Sequence, residues 1–138
     1  HLELWLGSSD YGFDATLETL KPLIVGLPYP EQSYPFPKLR SLALCNSELQ
    51  DAIAEAFVGA PVLKQLDALD LSKGIMTDLG ARALAECEEL GALTKLDVSR
   101  NYIADVSIFD RLRARGVEVD ASGQKQPDGD YYYVELSE

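Results

Sequence analysis

Three six-residue segments of this chain align without gaps: Leu39-Arg40-Ser41-Leu42-Ala43-Leu44, Leu66-Asp67-Ala68-Leu69-Asp70-Leu71 and Leu93-Thr94-Lys95-Leu96-Asp97-Val98. Their starts are 27 residues apart both times, and a fixed period of this size constrains the fold more than any local propensity. In each segment the fourth and sixth residues are apolar and alternate with small or polar neighbours, so each pair points to one face of a short strand. The intervening stretches switch to helical spacing, with Ile53, Ala54, Ala56, Phe57 and Val58 in one and Leu79, Ala83, Leu84, Cys87 and Leu90 in the next. A strand with a helical return cannot bury its apolar face alone. Stacking one copy in parallel on the next buries a continuous core, so the expected class is α/β.

The third copy continues to Asn101 and Ile103, completing L-x-x-L-x-L-x-x-N-x-L with conservative replacements. The first two copies carry Ser47 and Gly74 at the Asn position, followed by Leu49 and Met76. On these residues the chain resembles the leucine-rich repeat family. The period of 27 and the return Met76-Thr77-Asp78-Leu79-Gly80-Ala81-Arg82-Ala83-Leu84-Ala85-Glu86 are similar to its ribonuclease-inhibitor subclass. The resemblance covers most of residues 2–122 and is strongest in the middle. With the closing Gly123-Gln124-Lys125-Gln126-Pro127-Asp128 and a tyrosine-rich end, the whole resembles bacterial leucine-rich repeat proteins without an assigned biochemical role. The resemblance implies a right-handed solenoid with a short parallel sheet on the concave face and helices on the convex face.

The outer copies follow the same logic with less fidelity. Leu4 and Leu6 fit the inward strand positions, and Asp14 is placed to cap a helix whose stripe is Leu17, Leu20, Leu23 and Ile24. That helix is expected to end by Gly26-Leu27-Pro28, before an irregular surface insert from Pro28 to Pro37. A helix over Val106–Arg115 precedes Gly116, Val117 and Val119 form a fifth strand, and Tyr131–Leu136 a final one. Residues 123–138 are expected as a terminal capping segment over the last repeat. The chain reads as one domain over 1–138. Because it starts inside the pattern, at His1-Leu2-Glu3-Leu4-Trp5-Leu6, the chain is expected to be the C-terminal part of a longer protein.

Charge and composition exclude several functions. Twelve Lys and Arg stand against 23 Asp and Glu, a formal net charge of −11, which disfavours duplex nucleic acid and anionic membrane surfaces as partners. No window approaches the ~18 apolar residues of a membrane span. Two cysteines make no disulfide framework and suit a reducing compartment, so a cytoplasmic location is expected. Cys45 is expected on the surface and Cys87 in the helical core. His1 is the sole histidine, at a terminus, so no Ser-His-Asp or Cys-His set assembles, and no glycine-rich phosphate loop occurs. The expectation is no enzyme, no cofactor and no metal.

The remaining strand residues form columns on the open sheet face. One column reads Trp5, Ala43, Asp70, Asp97, Glu118; Lys95 lies in the column before it, Asp120 in the one after, and Lys73 and Arg100 in the next. Trp5, Asp70, Lys73, Lys95, Asp97, Arg100, Glu118 and Asp120 are therefore the candidate protein-binding residues, with the acidic ladder suited to a basic protein partner. The competing reading is a solvated face partly neutralised by Lys73, Lys95 and Arg100. Trp5 has two readings of its own, a binding hot spot or a ring covered by upstream sequence. The expected function is a non-enzymatic protein-interaction module; the alternatives are a structural or capping part of a larger bacterial protein and, behind it, a carboxylate-based enzyme or metal-binding domain.

Overall fold

The computed structural model describes residues 1–27 and 33–136. Five strands, β1 (Leu2–Trp5), β2 (Ser41–Cys45), β3 (Ala68–Asp70), β4 (Lys95–Asp97) and β5 (Glu118–Asp120), pair in sequence order into one open parallel sheet, not closed into a barrel. Helices α1 (Leu17–Ile24), α2 (Gln50–Ala56), α3 (Asp78–Glu86) and α4 (Asp110–Ala114) return the chain between strands. Short 3-10 turns extend them, and the expected helix over Val106–Arg115 is a 3-10 turn at Val106–Phe109 running into α4.

The core lies between the sheet and the helices. Leu42, Leu44, Leu69, Leu71, Leu96 and Val98 point into it and are all but completely buried, and Ile53, Phe57, Leu63, Leu84, Leu90, Phe109 and Leu112 meet them from the other layer. The three middle strands sit in the register that the period of 27 demands, with Leu42 opposite Leu69 and Leu69 opposite Leu96. Both ends differ by two residues from expectation. Leu2 and Leu4, not Leu4 and Leu6, stand opposite Leu42 and Leu44. Val119 stands opposite Leu96, and Val117 lies buried one residue before β5. A slip of two keeps every side chain on its own face, so apolar alternation cannot detect it.

Helix entries are built between repeats. Thr19, not Asp14, receives the amide that opens α1: its hydroxyl accepts from Thr16 N–H at 3.0 Å. Asp51, in α2, accepts from the amides of Thr77 (2.8 Å) and Gly80 (3.0 Å) and from the Thr77 hydroxyl (2.7 Å), fastening the start of α3. Asp78, 27 residues on, accepts in the same way from the amides of Ala104 (2.8 Å) and Asp105 (3.2 Å). The carboxylates thus complement the positive ends of neighbouring helical segments. Leu79 departs from the expected stripe: it is 69% exposed, and α3 packs through Gly80, Ala81 and Leu84 instead.

Of the insert, Pro28, Tyr29 and Pro30 lie outside the described residues, as do Glu31 and Gln32. Its second half is anchored, because the Tyr34 hydroxyl donates to Leu23 O at 2.8 Å and the Tyr34 ring meets Phe36 edge-on. The final strand expected at Tyr131–Leu136 does not form; the local pairing is an isolated antiparallel bridge, Asp128 to Tyr131. The reason is that side chains and turns satisfy this backbone. Tyr133 N–H donates to Tyr102 Oη (2.9 Å), Glu135 N–H to Lys73 O (3.0 Å) and Leu136 N–H to Asn46 Oδ1 (2.8 Å). The tail therefore runs back along the row of turns at the C-terminal ends of the strands.

Gly80 marks the closest approach of α3 to α2. A Cβ there would stand 2.5 Å from Asp51 Oδ1, 2.9 Å from Met76 Cγ and 3.1 Å from Ala54 Cβ. Gly80→Ala gains helix propensity of ~1 kcal/mol, yet overpacking costs ~1–3 kcal/mol and the Asp51 bonds are disturbed with it. Equilibrium denaturation is expected to show a net loss of stability; a more stable variant would contradict this packing.

Candidate binding surface

The open face of the sheet is ordered by a three-residue device repeated at the end of three strands. Asp70, Asp97 and Asp120 stand side by side, and in each an Oδ1 accepts from the backbone amide two residues on: Ser72 (2.9 Å), Ser99 (2.9 Å) and Ser122 (3.0 Å). These are Asx-turns, a local way for a short carboxylate to satisfy the backbone where a strand ends. At Asp120 the Ser122 hydroxyl also donates, and these bonds hold the carboxyl below its usual range. Directly after each turn the chain enters the left-handed region, at Lys73 (φ 65°), Arg100 (φ 54°) and Gly123 (φ 65°), as it also does at Asn46 (φ 59°) after β2.

The acidic ladder is thus Asp70, Asp97 and Asp120, not Asp70, Asp97 and Glu118. Beyond Ala43 the column reaches Glu3, not Trp5. Glu118 stands opposite Lys95. A hydrogen bond to a charged acceptor contributes roughly 1.5–3 kcal/mol, less at a half-exposed site. Cross-strand charge pairs act over roughly 0.2–1 kcal/mol. The turn bond outweighs the repulsion between rungs, which is why three aspartates can stand in a row. These carboxylates therefore serve the fold as well as the surface.

Trp5 stands in the next column, opposite Cys45. Its indole N–H donates to Glu3, and the Lys73 ammonium lies 4.4 Å from the ring centroid, a cation–π contact that reaches across β2. Trp5 nonetheless remains 45% exposed. Cys45 is not on the surface as expected: it is fully buried between these neighbours and β3. Burial, with Asp70 nearby, pushes its thiol up to about 12, so it stays protonated and a poor nucleophile at neutral pH. Cys87 is buried as expected, and burial raises its thiol too.

The turns beyond the columns hold Asn101, which completes the repeat motif, and a set of polar contacts that the motif does not announce. Asn101 is completely buried; its Oδ1 accepts from Gly74 and Met76 amides (both 3.1 Å) and its Nδ2 donates to Leu71, Val98 and Ser99 carbonyls. Gln124 repeats the device one turn later, donating to Val98 O and Ala121 O and accepting from Ile103 N–H, all at 3.0 Å. Arg100 is tied to Glu135 of the tail at 3.2 Å. Lys125 donates to Tyr133 O at 2.8 Å and lies 4.8 Å from the Tyr102 ring centroid, and desolvation lowers its pKa against the opposing pull of Glu135. Of the cations expected to neutralise the ladder, Arg100 is paired with Glu135 of the tail and Lys73 lies over the Trp5 ring.

Among the described residues no group of three or more His, Cys, Asp or Glu is placed to hold a metal ion, and no helix is long and apolar enough to cross a membrane. No family model and no curated protein matches the chain. It is similar to a Bacteroides fragilis protein of known crystal structure, with a TM-score of 0.79 and 28% identity. The match covers 99% of this chain and 36% of that one, so the chain spans about a third of the length of its structural neighbour.

Replacing a ladder carboxylate separates its two roles. Asp97→Asn keeps an oxygen to accept the Ser99 amide, whereas Asp97→Ala leaves that amide without its partner. The alanine variant is expected to lose ~1 kcal/mol more than the asparagine variant in urea unfolding. Equal stabilities would show that the turn bond contributes nothing.

Proposed function

We propose that this chain is a leucine-rich repeat module of the ribonuclease-inhibitor type, a right-handed solenoid, and that it binds a protein partner through the concave sheet face without catalysing a reaction. The in-register row of Asp70, Asp97 and Asp120 carries this reading. Each aspartate commits one oxygen to its turn, and the three carboxylates stand in a chain of net charge −11 whose nearby Arg100 is paired with Glu135. A basic protein surface is the complementary partner, drawn in by long-range attraction and held by short charge pairs. Trp5, partly exposed at the end of the same face, adds an aromatic contact of the kind that dominates interface energetics. Two unpaired thiols suit a reducing, cytoplasmic setting.

A second reading has its own support. The chain matches about a third of the Bacteroides fragilis protein, so it can equally serve as the structural or capping part of a longer repeat array. Binding by the full-length protein that the isolated chain does not reproduce would favour this second reading.

The test is a salt series by surface plasmon resonance with the partner recovered from native lysate. Changing Asp70, Asp97 and Asp120 to Asn keeps the turn acceptors and moves the net charge from −11 to −8. The triple variant is expected to stay folded, associate more slowly and show a shallower salt dependence. An unchanged association rate and salt slope would contradict recognition through this face.

A further inference from the structure

The tail brings together residues that lie at opposite ends of the chain. The turn Ser8–Tyr11 follows β1, and Tyr131–Val134 lies in the last described segment, yet both line one cavity of about 220 Å3. Tyr11, Tyr131 and Tyr133 contribute aromatic rings, and Asp10 and Glu48 contribute carboxylates. No Lys, Arg or His lines it among the described residues. Tyr11 (65%), Tyr131 (67%) and Tyr133 (55%) are among the most exposed large side chains of the molecule, and the rings of Tyr131 and Tyr133 stand near-parallel at 16° with centroids 6.3 Å apart.

Both walls of the cavity are fixed. Glu48 accepts from Ser9 N–H at 2.9 Å, which ties the first turn to the second repeat. On the other side the tail is pinned at three points. Tyr133 is bound through its backbone to Tyr102 Oη, Leu136 exchanges two hydrogen bonds with Asn46, and Val134 is buried between them. Tyr132 packs its ring edge-on against Tyr102 and also borders the cavity, beside Tyr131 and Tyr133.

Aromatic faces carry negative quadrupole potential, and a cavity that joins them to carboxylates without a cation attracts an organic cation. We propose that this cavity is a binding site for an alkylammonium group, supplied by a lysine side chain of a partner protein. Tyr11, Tyr131 and Tyr133 present ring faces to the cation, Asp10 supplies the opposing charge, and Glu48 holds the first turn in place. The site lies off the Asp70–Asp97–Asp120 row and does not depend on binding there.

The experiment is an NMR titration of the intact chain with Nα-acetyl-lysine amide, its Nε-trimethyl derivative, tetramethylammonium chloride and the neutral isostere in which a 5,5-dimethylhexyl group replaces the trimethylated side chain. The cationic lysine probes are expected to shift Tyr11, Tyr131 and Tyr133 ring signals saturably. The isostere is expected to bind at least ~5-fold more weakly, as loss of the cation–π attraction requires. Tyr131→Leu and Tyr11→Leu are each expected to weaken the lysine probes by a similar factor while the Leu136 and Asn46 amide signals keep their positions. The Asp70, Asp97 and Asp120 to Asn variant leaves the titration unchanged. Tighter binding of tetramethylammonium than of either lysine probe would overturn the assignment to a protein side chain. Equal binding of charged and neutral probes, or insensitivity to both Tyr→Leu changes, would overturn the cation site itself.

Discussion

One buried amide carries the joint between repeats. Where each strand ends, the chain must turn sharply, and its N–H and C=O groups point into an apolar interior that offers no water. Leaving one such group unpaired costs about 1–3 kcal/mol. The Asn101 side chain meets five of them, drawn from the β3 turn and the β4 turn together. Gln124 does the equivalent at the last turn, and Gln50 approximates it at an earlier one, donating to Leu44 O at 2.8 Å while its buried Oε1 goes unpartnered. With the turns fixed, the backbone continues from repeat to repeat past the strands: Asn46 N–H reaches Ser72 O, Lys73 N–H reaches Ser99 O and Arg100 N–H reaches Ser122 O, all at 2.9 Å. The leucine layers then follow as a consequence of equal spacing.

The acidic character of the chain has a structural origin in the same backbone. Asp51 and Asp78 fasten the helix entry of the following repeat, Asp70, Asp97 and Asp120 close the strand ends, and Glu48 holds the first turn. Short carboxylates suit these places because amides outnumber free acceptors at helix starts and turns. What is left outward is a surface with an excess of negative charge, on which Lys73, Lys125 and Arg100 are drawn into local contacts with Trp5, Tyr102 and Glu135. A field of this kind is available for recognition without any residue being present for that purpose alone.

The middle of the molecule was legible in the sequence because a period of 27, repeated twice, admits one register. At the ends it was not. Leu2, Leu4 and Leu6 alternate evenly, so sliding β1 by two residues preserves its apolar face, and Val117, Val119 and Ala121 have the same degeneracy at β5. A signal that resolves β5 was present: Asp70-Leu71-Ser72, Asp97-Val98-Ser99 and Asp120-Ala121-Ser122 repeat one pattern and align Asp120 with Asp97. The burial of Cys45 was hidden because the neighbours that flank it on the open face, Trp5 with Lys73, come from two other repeats. The course of the tail was hidden for a similar reason. Tyr131–Leu136 reads as a strand, but its hydrogen-bond partners are Asn46, Lys73 and Tyr102, which only the stacked turns bring into line.

Native-state hydrogen exchange in the wild type and in Asn101→Ala tests the central claim most directly. The Gly74 and Met76 amides donate to Asn101 Oδ1, and both lie in the turn of the neighbouring repeat. If the buried amide joins the repeats, both amides exchange in the wild type only with large-scale opening. In the variant they lose their protection together, and global stability falls by roughly 2 kcal/mol or more. Gly74 and Met76 amides that remain as protected in the variant as in the wild type would contradict the account.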